Sequence, residues 1–198
     1  AFHLPTGRRV DLSPEELALF PALVSRWVWF VDNSRICHLK SDRYQRVLRL
    51  VLIDLTTGVE RLLFEEKTDS GYLEPHPVLG APPNIRYLPD TDEVLWWSER
   101  DGWGHLYLAD AASGQIQRQL TSGKWQVRDL IDVDTAERTV LFTAGGLASE
   151  DPILRSLARV PLDGGSPVVL VRGDFARGEA AVRSEPVAAP TDVLRPSG

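Results

Sequence analysis

The sequence predicts an all-β protein, a partial β-propeller of about three four-stranded antiparallel blades behind a short N-terminal helix. Three observations predict it. Short runs rich in aromatic and β-branched residues recur from Val24 onward, the composition of strands. Turn residues (Gly, Asp, Pro and Ser) divide those runs at regular intervals, as antiparallel meanders require. Three hairpin corners also look alike: Asp54-Leu55-Thr56-Thr57-Gly58, Asp110-Ala111-Ala112-Ser113-Gly114 and Leu162-Asp163-Gly164-Gly165. Their glycines, Gly58, Gly114 and Gly165, are spaced by roughly 50 residues, the period of a four-stranded blade.

The elements follow in chain order. Ser13-Pro14-Glu15-Glu16 offers an N-cap serine, a proline at the first helical position and a glutamate completing a capping box,. Leu17, Leu19, Phe20 and Leu23 continue this helix, and Pro21 keeps it short,. Residues 1–23 are therefore a lead-in. Strands are expected at 24–31, 47–55 and 59–64, then at 84–88, 93–98, 105–109 and 115–120, and finally at 127–133, 138–143, 154–160 and 168–171. An apolar strand is expected ahead of each corner's own strand, namely Trp27 to Phe30, Leu95 to Trp97 and Leu141 to Thr143. The blades then span about 24–66, 84–121 and 125–173. Residues 174–198 turn to Ala, Arg, Glu and Pro, a tail or the start of a further blade,. A blade cannot bury both its faces alone, so three blades imply further blades as partners.

Composition narrows the function. Hydrophobic residues make up 43% of the chain and charged residues 25%, enough for a core without metals or disulfides. A net charge of −6 leaves no basic surplus for nucleic acid. No run approaches membrane-spanning length, and a soluble chain of the bacterial cytoplasm or periplasm is expected. Cys37 is the only cysteine and, inside an apparent strand, reads as a small buried hydrophobe. The chain lacks methionine even at position 1 and reads as a piece of a longer protein.

Two stretches are specific. Trp96-Trp97-Ser98-Glu99-Arg100-Asp101-Gly102-Trp103-Gly104-His105-Leu106-Tyr107-Leu108 is followed by Gln119-Leu120-Thr121-Ser122-Gly123-Lys124-Trp125-Gln126-Val127. In this order and spacing they resemble the propeller signatures of dipeptidyl peptidase IV-like members of the prolyl oligopeptidase family of serine peptidases. The resemblance covers about Val24 to Val171, and is clearest from Tyr87 to Gly165. It implies a parent in which a propeller caps a separate C-terminal α/β-hydrolase domain with a Ser-Asp-His triad. Such a parent removes dipeptides from peptide N-termini, commonly after Pro or Ala, and holds the substrate amine with an acidic pair on the propeller. That pair is not placed in this sequence: Glu65-Glu66 follows an outer strand and reads as a solvated strand end.

The chain itself carries no catalytic residue by this reading. The Gly-x-Ser-x-Gly turn of a hydrolase nucleophile does not occur,, and His3, His38, His76 and His105 have neither metal-binding spacing nor a partner nucleophile. Asp129, Asp132 and Asp134 lack the glycine and closing glutamate of a calcium loop. No metal or other cofactor is expected. Glu99-Arg100-Asp101-Gly102 reads as a hairpin turn with Arg100 satisfying a local carboxylate, or as a polar lining of the channel. Trp96 and Trp97 point to opposite faces of a strand, so at least one packs between blades. The loop Tyr72-Leu73-Glu74-Pro75-His76-Pro77 lies between blades. It reads as a plain connecting loop or, since such loops face the substrate cavity in the family that the chain resembles, as a cavity wall. With Arg100 and Trp103, its Tyr72 and Glu74 are then the substrate-cavity candidates. The function expected is non-catalytic: shaping and gating the access of peptides to the hydrolase domain. A freestanding propeller used for binding is the alternative. Exposed blade edges invite strand pairing between copies, so a homo-oligomer is expected.

Overall fold

The computed structural model describes residues 2–3, 8–9, 27–76, 81–149 and 151–172. The expected helix from Ser13 and the segment 174–198 lie outside the described residues. Strands β1 (Phe2–His3) and β2 (Arg8–Arg9) pair antiparallel. The other described strands form three four-stranded antiparallel sheets. The first holds β3 (Val28–Phe30), β4 (Arg35–Ser41), β5 (Val47–Asp54) and β6 (Glu60–Lys67). The second holds β7 (Arg86–Leu88), β8 (Glu93–Ser98), β9 (His105–Asp110) and β10 (Gln115–Gln119). The third holds β11 (Gln126–Asp134), β12 (Thr139–Gly145), β13 (Arg155–Pro161) and β14 (Val168–Arg172). Within each sheet the strand order follows the chain, the meander of a propeller blade.

The blades repeat in their hydrogen bonds as well as their strands. The carbonyl at the turn between the first two strands accepts from a backbone N–H at the corner between the last two. The pairs are Leu55 N to Ser34 O at 2.7 Å, Ala111 N to Asp92 O at 2.8 Å and Leu162 N to Arg138 O at 2.8 Å. At the first two corners an aspartate caps the turn: Asp54 Oδ1 accepts from Thr56 N and Thr57 N, and Asp110 Oδ1 accepts from Ser113 N. Gly58 and Gly114 complete these corners at φ 79° and 68°, a conformation that favours glycine.

One expectation needs correction. The strand directly ahead of the first corner's strand is β4, and Trp27 to Phe30 lies one strand earlier. The turn between β3 and β4 is only four residues long, held by Asp32 Oδ1 accepting from Ser34 N and Arg35 N at 2.8 Å each. The polar residues Arg35, His38 and Lys40 interleave with buried Ile36, Cys37 and Leu39, which blurs the apolar signal of β4. Cys37 lies in this core, and burial pushes its thiol up to about 12.

Most of the core lies between the sheets. In β8 every residue is buried, because the middle blade is covered on both faces. Alternate side chains point to opposite faces. Val94 and Trp96 join Leu50, Phe64 and Ile85 in the core shared with the first sheet. Leu95 and Trp97 join Leu106, Val140 and Phe142 in the core shared with the third. The face of the first sheet turned away from the second carries a further buried cluster of Ile36, Val51, Ile53 and Leu55, beside Phe30, which is 82% exposed; Val168 and Leu170 on β14 are also exposed. Among the described residues no helix is long and apolar enough to cross a membrane.

Candidate functional site

Antiparallel meanders put the segment after β6, the β8–β9 loop, the segment after β10 and the β12–β13 loop at one end of the sheets. Among the described residues two cavities open there. The first, of about 440 Å³, is lined by Glu66, Tyr72, Glu74, Ser98, Glu99 and Arg100 among others. It lies where the end of β6 and the following loop meet the β8–β9 loop of the next blade.

Glu66 organises this cavity. In β6 the alternation from Phe64 turns Glu66 towards the second sheet, where Phe64 packs on Trp96 with ring centroids 4.8 Å apart. Glu66 is 8% exposed. Its Oε2 accepts from the Trp96 indole N–H at 2.5 Å, and its Oε1 accepts from the Ser98 hydroxyl at 2.5 Å. Arg100 Nη2 closes an ion pair with Oε1 at 3.0 Å. The same guanidinium donates from Nε to Ser98 Oγ at 3.1 Å and lies 4.9 Å above the Tyr107 ring. A cation so held keeps one geometry and presents its remaining donors to the cavity.

Two expectations are overturned. Glu66 is no solvated strand end, because the neighbouring blade covers it. Glu65, on the opposite face, does sit at the surface with Arg49 at 2.6 Å and Lys67 at 2.7 Å. Arg100 serves no local carboxylate: its partner comes from the preceding blade. The turn itself closes through Gly102 N to Glu99 O at 2.8 Å, and Asp101 accepts from Trp103 N and the Gln119 amide. Asp129 likewise has a structural place, accepting from the Thr143 hydroxyl at 2.9 Å and pairing with Arg155 at 2.7 Å.

Of the four residues singled out from sequence, the fold brings Tyr72, Glu74 and Arg100 to this one cavity. Tyr72 is 64% exposed. Glu74 is partly covered, with Oε2 3.8 Å from Nδ1 of buried His76. Burial raises the Glu74 carboxyl above its ordinary range, and the charge of Glu99 raises it further. Trp103 lies elsewhere, in the wall of a second cavity of about 620 Å³ with Trp125, Leu147 and Pro152. Glu66 was missed in the sequence, although the period-2 pattern running on from Phe64 carried the signal. The Ser98 hydroxyl is committed within this cluster, donating to Glu66 and accepting from Arg100.

Residues 4–181 match the family described as the dipeptidyl peptidase IV (DPP IV) N-terminal region. The chain belongs to this family. Similar proteins include the probable dipeptidyl peptidase 4 of Aspergillus fumigatus, 22% identical over 142 residues, covering 70% of this chain and 18% of that protein. Dipeptidyl peptidase 4 of Trichophyton equinum is 22% identical over 150 residues, covering 72% and 18%. The crystal structure of Porphyromonas gingivalis dipeptidyl peptidase 4 shares the fold with a TM-score of 0.56 at 21% identity, over 73% of this chain and 19% of that one. The chain thus spans less than a fifth of the length of these DPP IV relatives. Its three sheets are propeller blades of a DPP IV N-terminal region.

Proposed function

We propose that the chain forms part of the substrate-facing wall of a dipeptidyl peptidase-type enzyme, where it shapes and gates the access of peptides to a separate α/β-hydrolase domain. The observation that carries this reading is the gathering of Tyr72, Glu74 and Arg100 in one cavity, with Arg100 anchored by a carboxylate from the neighbouring blade. A fixed guanidinium suits the carbonyls of a peptide, and an exposed tyrosine suits its side chains. The hydrolase domain then faces the end of the sheets at which both cavities open. The exposed Val168 and Leu170 on β14 support a further blade on that side. Any such edge left uncovered would pair with a second copy of the chain.

The test is kinetic, in the longer protein that carries these residues. Arg100→Ala and Tyr72→Ala should raise KM for peptide substrates several-fold while kcat stays within about twofold, as loss of uniform binding requires. Unchanged KM in both variants, or no dipeptide release by the parent protein, would sink the proposal.

A further inference from the structure

We propose that the second cavity is a peptide subsite of its own, taking a bulky apolar or aromatic side chain that is flanked by an acidic group. It lies one repeat on from the first cavity. Trp103 comes from the β8–β9 loop, Trp125 stands just before β11, and Leu147 and Pro152 belong to the β12–β13 loop. Its volume of about 620 Å³ holds a large side chain and part of its neighbour.

One aromatic wall is rigid. The Trp125 ring stacks on Phe142 at 6.2 Å with 9° between planes, and meets the His105 ring edge-on at 4.9 Å. His105 is itself held through Nδ1 to Thr121 Oγ1 and through Nε2 to Gly123 O, both at 3.0 Å. A Cβ at Gly123 would lie 2.6 Å from the Trp125 indole nitrogen, so the ring occupies the space that a side chain there would need. Trp103, in the same cavity wall, is 41% exposed and offers part of its indole to a ligand.

Charge supplies the second half of the specificity. The chain has three lysines. Lys40 pairs with Glu60 at 2.8 Å and Lys67 with Glu65 at 2.7 Å. Lys124, in the cavity wall, has no carboxylate within ion-pair distance among the described residues. An ammonium without an ion pair among the described residues, in the same wall as two indoles, complements an anion placed next to an apolar side chain. The concave shape and this small volume favour an extended peptide over a folded domain, whose interface is broad and flat.

The test reads binding directly, by calorimetry and ligand-observed NMR on the longer protein that carries these residues. Failure would therefore leave the reading of the first cavity untouched. The probes are the peptide acetyl-Gly-Phe-Glu-Gly-amide and its counterparts with Gln for Glu and with Ala for Phe. The Phe-Glu peptide should bind saturably, and each counterpart about three- to tenfold more weakly. Lys124→Gln should bind the Glu and Gln peptides equally. Trp103→Ala should lose about tenfold for the Phe-Glu peptide, and Trp103→Phe should retain most of it. If Trp103→Ala does not fold, Lys124→Gln and Trp103→Phe still decide the matter. No saturable binding of any peptide, as when a protein domain is the true occupant, overturns the proposal. So does undiminished discrimination between Glu and Gln peptides in Lys124→Gln.

Discussion

The indole N–H of Trp96 donates to Glu66 Oε2 across 2.5 Å, joining the last strand of one blade to the second strand of the next. The carboxylate also takes the Ser98 hydroxyl and Arg100, so a single side chain couples blade packing to the shape of the cavity. Glu66→Ala leaves a buried indole and a guanidinium without their acceptor. The expected loss is about 2–4 kcal/mol of stability, read as a lower denaturant midpoint. Trp96→Phe removes one donor and keeps the ring's burial, and should cost about 1–3 kcal/mol.

Gly104 is a second pressure point. A Cβ there would lie 2.2 Å from Cζ2 of Trp97, which is buried and donates its own N–H to Val127 O at 3.1 Å. The indole cannot withdraw without breaking that bond to the third blade. Gly104→Ala should destabilise by about 3 kcal/mol through overpacking, and should change the near-ultraviolet dichroism of the tryptophans.

Asp92 sets an acid-side limit. Arg61 donates to it from both Nη atoms, and Tyr87 Oη donates at 2.7 Å. These bonds, the Arg61 guanidinium foremost, hold its carboxyl at about 2 against an ordinary 3.8. A depressed pKa contributes stability that is present above about 3.8 and lost as pH falls through about 2. Asp92→Asn should therefore narrow the drop in melting temperature between pH 4 and pH 2. An identical drop in both proteins would count against the linkage.

Glu74 works in the opposite direction. Burial, then Glu99, favours its protonated form in the folded chain. The folded state binds the proton more tightly than the unfolded one, so this group lowers stability as pH rises from 4.5 through the raised value. Glu74→Gln should melt at or above the temperature of the parent at pH 8, and the difference should close by pH 4. A thermal melt series across that range decides it.

Local chemistry made much of this molecule readable from its residues. Strand composition, the two aspartate-capped corners and the spacing of Gly58, Gly114 and Gly165 declare the blades, because turns and period-2 burial act within a few residues. The stretch from Trp96 to Val127 carries the family. Only the tertiary structure decided the partners. Glu66 and Arg100 are 34 residues apart in the chain, and Arg100 has aspartates and glutamates nearer in sequence. It pairs with Glu66 because the packing of one blade on the next brings the end of β6 against the β8–β9 loop. The same packing sends Trp103 to a different cavity from Arg100, three residues before it. Which face a residue presents can be counted along a strand, but what waits on that face is set by how the sheets stack.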